Sequence, residues 1–147
     1  MTRPMQPPAS QPIGFWTVRA GEAIRARIRS ALAEVDVTQP EWWVLHQLSL
    51  HPDGVERAAV VDVIDSNDTP AVIEEAIDAG IARGRIHADG TVLRWTDSGA
   101  AAFARAVEVQ KGLREERMQG ITVDEYATTI SVLQRTIANV GGEAWHW

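Results

Sequence analysis

Glu74 and Glu75 stand side by side in DSNDTPAVIEEAIDAG, residues 65–80, a stretch with five carboxylates and no lysine or arginine. Paired carboxylates can divide acid and base work when their surroundings separate their proton affinities. Adjacent residues on a helix point in different directions, so a solvated charged face is the simpler expectation. The chain has no phosphate-binding glycine loop, no serine elbow and no cysteine, and catalysis of those kinds leaves such signatures. An enzyme is therefore not expected, nor a cofactor. His51, His87 and His146 lack ligand spacing such as His-x-x-x-His, so no structural metal is expected.

The second chemistry-bearing group is aromatic. Six tryptophans occur in 147 residues. An indole offers a flat apolar face and one N–H donor, which suits an aromatic ligand. Trp42, Trp43 and His46 lie within two turns of one segment, with Trp16 before it and Trp95 well after it. Trp42 is expected first as core packing. Trp16, Trp43 and His46 serve either role, and His46, one turn beyond Trp42, can add a titrating group to the same cavity.

Helices must position these residues. Ile13, Trp16, Ala20, Ile24, Ile28, Ala31 and Val35 recur at spacings of three and four, which predicts a helix over 12–36. Thr38 with Glu41 three residues on predicts a capping box opening the next helix, and Pro40 is tolerated in its first turn. A short apolar helix is expected over 56–64. Thr69 followed by Pro70 predicts another helix start, with Gly84 as its stop. Residues 85–95 read as a β-hairpin turning at Asp89-Gly90. A long helix follows from Thr96. A second capping box, Thr122 with Glu125, opens the last helix, whose stripe of Tyr126, Ile130, Leu133, Ile137 and Val140 suits packing on another helix.

Composition is that of an ordinary globular chain, 45% apolar and 23% charged. The segment MTRPMQPPASQP lacks the apolar core of a secretion signal, and no apolar run is long enough to span a membrane. A cytoplasmic protein with no membrane partner is expected, with residues 1–11 as a disordered tail.

Three helices, a hairpin and long helices on both flanks make a winged helix-turn-helix with a dimer arm. In TQPEWWVLHQL (38–48), DAGIARGRI (78–86), RWTDSGAAAFARA (94–106) and GITVDEY…LQRTIANV (120–140), the chain resembles the MarR family of bacterial transcription regulators. The fold class implied is mainly α with a small β-hairpin, divided into a lobe at 38–95, a helical dimerisation region at 12–37 and 96–141, and a tail at 142–147. The resemblance further implies a homodimer joined through Ile13, Tyr126, Ile130, Leu133 and Ile137. Double-stranded DNA would be contacted by Asn67, Thr69 and Ala71 at the reading helix and by Arg83, Arg85 and Arg94. A small aromatic ligand would sit between arm and lobe against Trp16, Trp42, Trp43, His46 and Trp95.

The chain departs from the family pattern at the reading helix. Asp62, Asp65, Asp68, Glu74, Glu75 and Asp78 fall between residues 58 and 82 with no cation among them, and the family's Asp-Arg-Arg wing motif is missing. Gly80 stands where a leucine is usual. Carboxylates near phosphate oppose binding, although one glutamate on a reading helix can accept from cytosine N4. The alternative reading is a dimer of this fold that has lost generic DNA affinity and works as a ligand-binding or protein-interaction module.

Overall fold

The computed structural model describes residues 3–146; Met1, Thr2 and Trp147, which belong to the two expected tails, lie outside the described residues. Six helices and three short strands follow one another: α1 (Ile13–Ala33), α2 (Gln39–Ser49), β1 (Val55–Glu56), α3 (Arg57–Ile64), α4 (Pro70–Ala82), β2 (Ile86–Asp89), β3 (Val92–Trp95), α5 (Asp97–Arg117) and α6 (Val123–Asn139). The expected mainly helical winged helix-turn-helix is what the chain forms.

Caps account for the helix starts. The hydroxyls of Thr38, Thr69, Thr96 and Thr122 accept from the N–H of the residue three further on in each case, supplying an acceptor that the helix itself cannot. The box at α6 is closed, with the Thr122 N–H donating to Glu125 Oε1 at 3.0 Å. That bond and the Thr122 hydroxyl hold the Glu125 carboxyl below its ordinary proton affinity. The box at α2 is only half made, because the Glu41 carboxylate goes to Arg85 instead. Gly84, with φ of +72°, ends α4 as expected.

The core lies inside the lobe. Val44, Leu45 and Leu48 of α2, Val60 and Ile64 of α3, Ile73 and Ile77 of α4 and Leu93 of β3 are essentially inaccessible, and Leu32 at the end of α1 joins them. Ala102 and Ala106 carry α5 onto the same core. The hairpin is three-stranded rather than two, in the order β1-β3-β2, with Val55 opposite Leu93 and Glu56 opposite Val92. A two-residue strand is too short to leave an alternating pattern, so sequence periodicity read Glu56 as the start of a helix. Residues 3–11, expected to be disordered, include a 3-10 turn at Pro8–Ser10, and Gln11 Nε2 donates to the Gln6 carbonyl at 3.0 Å.

Two glycines mark close approaches. A Cβ on Gly80 would lie 2.5 Å from Ile86 Cδ1, so Ile86 fills the volume that a larger side chain on α4 would claim. A Cβ on Gly99 would overlap the Arg85 carbonyl oxygen, which also accepts from the Thr96 N–H at 3.0 Å. Gly99→Ala therefore meets backbone, whereas Gly80→Ala meets the end of a flexible side chain. Chemical denaturation should show Gly99→Ala costing about 1–3 kcal/mol or more. Gly80→Ala should cost less, and in an Ile86→Val background its cost should vanish or reverse, since alanine is worth about 0.5–1 kcal/mol over glycine inside a helix. Equal costs for Gly80→Ala in the two backgrounds would contradict this assignment.

Candidate functional site

In this fold α4 is the exposed helix of the helix-turn-helix. Asn67, Thr69 and Ala71 gather at its start: the Asn67 N–H donates to the Ile64 carbonyl at 2.8 Å, Thr69 caps the helix, and Ala71 is exposed. The acidic run does have a cation, one residue outside the window where the sequence shows none. Arg57, the first residue of α3, donates from Nε to Glu74 Oε2 at 2.5 Å and from Nη2 to Asp78 Oδ1 at 2.7 Å. It also reaches the Glu74 carbonyl at 3.3 Å. The hydrogen bond it donates to Asp78 leads in raising its proton affinity further. Two of the six carboxylates thus share one guanidinium, which lies seventeen and twenty-one positions away in sequence.

Arg83 and Arg85 require a correction. Both are expected to reach phosphate, but both pair with the α1–α2 turn: Arg85 is buried there, whereas the Arg83 side chain stays 37% exposed. Arg85 is only 6% exposed; its Nη1 donates to Glu41 Oε1 at 2.6 Å and to the Asp36 carbonyl at 2.9 Å. Arg83 pairs with the Asp36 carboxylate and stands 3.5 Å from Glu41 Oε2. Asp36 takes a left-handed conformation, φ of 57°, which carboxamide and carboxylate residues tolerate better than most. Burial of Glu41 is the reason for this pairing, since a buried carboxylate requires a hydrogen-bonded cation. Nothing in the sequence separates such an arginine from one aimed at DNA.

The charge balance sharpens. Residues 38–95 carry four of the fourteen cations and ten of the twenty carboxylates, so the whole net charge of −6 lies in the lobe and the rest of the chain is neutral. Three of those four arginines are engaged within the chain. Arg94, exposed on β3, is the one lobe arginine without an ion pair among the described residues.

The expected ligand residues divide. Trp42, His46 and Trp95 come together around Phe103 of α5, which sequence reasoning missed. Trp42 stacks on Phe103 with centroids 5.2 Å apart and on His46 at 5.8 Å, while Trp95 tilts against Phe103 at 5.4 Å. The available signal was a lone aromatic in the alanine-rich run AAFARA. Trp43 packs at the edge of the core. Trp16 is elsewhere, 42% exposed near the start of α1, with its indole N–H donating to Gln11 Oε1 at 3.1 Å. It therefore does not join the group around Phe103. Burial lowers the proton affinity of His46.

The residues expected at a dimer interface lie on the arm. Ile13 and Leu133 line a groove of about 560 Å³ between α1 and α6, together with Trp16 and Val132. Tyr126 lies under the Arg114 guanidinium at 5.4 Å, and Ile130 and Ile137 are each 40% exposed. No residue of α6 is buried.

Two outcomes follow from this geometry. Arg85→Ala leaves Glu41 charged and buried, and should cost about 3–5 kcal/mol in denaturant titrations; a loss under 1 kcal/mol would show the pair to be dispensable. His46 is held neutral, so the fold loses stability as pH drops below the ordinary histidine value of about 6.5 toward the lowered one. The fall in melting temperature between pH 7.5 and 5.5 should be smaller in His46→Gln than in the parent chain.

No protein-family model matches the chain, and no curated protein matches its sequence. Solved structures do match. A MarR family protein of Mycobacterium tuberculosis, solved in complex with DNA, is 22% identical, with 90% of this chain and 100% of that one covered and a TM-score of 0.67. A MarR family transcriptional regulator from Silicibacter pomeroyi is 15% identical, covering 87% and 92%, with a TM-score of 0.74. CouR from Rhodococcus jostii RHA1, bound to p-coumaroyl-CoA, is 20% identical, covering 85% and 91%, with a TM-score of 0.73. Likeness at such identities speaks for architecture, and the chain has the winged-helix fold of the MarR family regulators.

Proposed function

We propose that the chain is a homodimeric transcription regulator that reads DNA with α4 and the wing and responds to a small aromatic ligand. The observation that carries the dimer is α6. A helix of 17 residues with an apolar stripe and no buried residue is marginal alone in water and needs a packing partner. A second copy offering the same α1–α6 surface supplies one. The start of α4, with Asn67, Thr69 and Ala71, supports DNA reading, and Arg94 is the cation placed to meet phosphate. Arg57 supports it indirectly: by holding Glu74 and Asp78 it leaves Glu75 as the carboxylate of α4 without an ion pair among the described residues, and one such group suits a cytosine contact. The aromatic group around Phe103, where the lobe meets the arm, supports a flat ligand that would displace one of the stacked rings.

The lobe charge favours a second reading, a dimer whose acidic face meets a basic protein partner instead of DNA. The two readings differ in salt dependence. With one unpaired lobe arginine per chain, a DNA-binding dimer neutralises few phosphates. Binding to promoter DNA beside its own gene should then weaken with salt at a slope of log K on log concentration of about −2. Arg94→Ala should flatten that slope toward zero. A folded dimer that binds no promoter fragment at 50 mM salt (about the low end of the usual range) would remove the DNA reading and leave the protein-partner one.

A further inference from the structure

Arg57 is bonded in two directions. Its guanidinium donates to Glu74 Oε2 at 2.5 Å, to the Glu74 carbonyl at 3.3 Å and to Asp78 Oδ1 at 2.7 Å, all on α4. Its backbone N–H donates the other way, to the Thr91 carbonyl at the hairpin turn, at 2.8 Å. The strand before it lies close on the wing. Glu56 pairs with Val92, and a Cβ on Gly54, whose φ is +110°, would lie 2.6 Å from Val92 Cγ1. The base of the hairpin is held otherwise, by Ile86 against Gly80 and by the buried Leu93. Thr91 is exposed and takes no part in that core. One residue therefore forms a bonded path from the middle of α4 to the outer end of the wing.

We propose that Arg57 is a positioning residue that couples the wing turn to α4, so that Arg94 and the start of α4 are offered to a target at one spacing. The offer to a target rests on the reading of α4 and the wing as one binding face; the coupling itself belongs to the free chain. A guanidinium suits the task, because its planar fork meets two carboxylates at a fixed geometry where a lysine is a point charge. The Glu74 and Asp78 side chains are 43% and 67% exposed, and ion pairs that wet add little to global stability. Their contribution is to geometry: losing them loosens the outer end of the face and leaves the lobe folded on its core. Coupling of this kind is reciprocal. A change made on α4 must therefore be felt at the turn, although no atom of the turn has been altered.

Backbone amide exchange of the ¹⁵N-labelled full chain tests the coupling in the parent, in Arg57→Gln and in Asp78→Asn, the last of which leaves Arg57 in place. Both variants should lower protection of the N–H at position 57 and of the Asp89–Val92 pair by about threefold, the scale of a partly exposed ion pair. The core amides of Leu45 and Leu48 should keep the parent's protection. Loss of protection confined to α4 would overturn the proposal, and so would an equal loss in the core, which marks general destabilisation. A second arm combines Arg57→Gln with Arg94→Ala on the promoter fragment. Arg94→Ala should weaken binding less in the Arg57→Gln background than in the parent, because Arg94 is then no longer held in place; additive losses would overturn the proposal. A parent chain that binds no promoter DNA would remove the DNA reading alone, and the exchange measurement would then decide the coupling.

Discussion

Glu41 is a carboxylate with almost no contact with water, and a good deal of the architecture answers to that. An ionised buried carboxylate is tolerable only with a hydrogen-bonded cation beside it. Arg85 supplies it, and Arg83 supports from the edge. Through the Asp36 carbonyl and carboxylate the same two guanidiniums tie down the turn between α1 and α2. The arm's first helix, the end of α4 and the start of β2 therefore meet at one charged knot. The Arg85 backbone belongs to it as well, because its carbonyl accepts from Thr96 and sits under Gly99. That places the opening of α5, the arm's second helix, on the same few residues. This network and the shared core together set the relative placement of arm, α4 and wing.

That network has consequences at both ends. At the α4 end it buries Arg85 and engages Arg83 in ion pairs, leaving α4 and the wing with Arg57 and Arg94 as their cations. Arg57 is in turn bound to Glu74 and Asp78. At the α2 end it removes Glu41 from its cap and opens the helix N-terminus. One side chain's need for a counter-charge thereby leaves the α4 face acidic and the α2 cap open.

Much of the fold was legible in local chemistry. The threonine caps, the proline after Thr69, the glycine after α4 and the Asp-Gly turn each act over a few residues, so spacing alone reveals them. What sequence could not show was pairing between distant side chains. Glu41 and Arg85 are 44 positions apart, and Arg57 and Glu74 are 17 apart. Each looks on its own like a surface residue. The stripe on α1 shows the same limit in another form. Its period is unbroken from Ile13 to Val35, yet only Ile28, Ala31 and Val35 pack on this chain's core, while Ile13, Trp16 and Ile24 stay exposed. Periodicity reports that a face is apolar, not which molecule covers it.

The uneven charge also bears on how such a lobe could recognise anything. All of the net charge sits in the lobe while the arm is balanced, so a polyanion approaching along the α4 face meets repulsion that decays over a Debye length of about 8–10 Å near physiological salt. Long-range attraction, the usual source of fast and indiscriminate DNA association, is reversed in sign. Binding to DNA would then rest on short-range base contacts by the start of α4, which resist nonspecific sites better than a basic lobe does and tolerate mismatches less. For a basic protein the same field is attractive, and the rigid Arg57 clamp would fix the spacing of Glu74 and Asp78 that such a partner reads. The physical choice between the partners lies in the sign of one field and in how closely a target can approach Glu75 and Arg94.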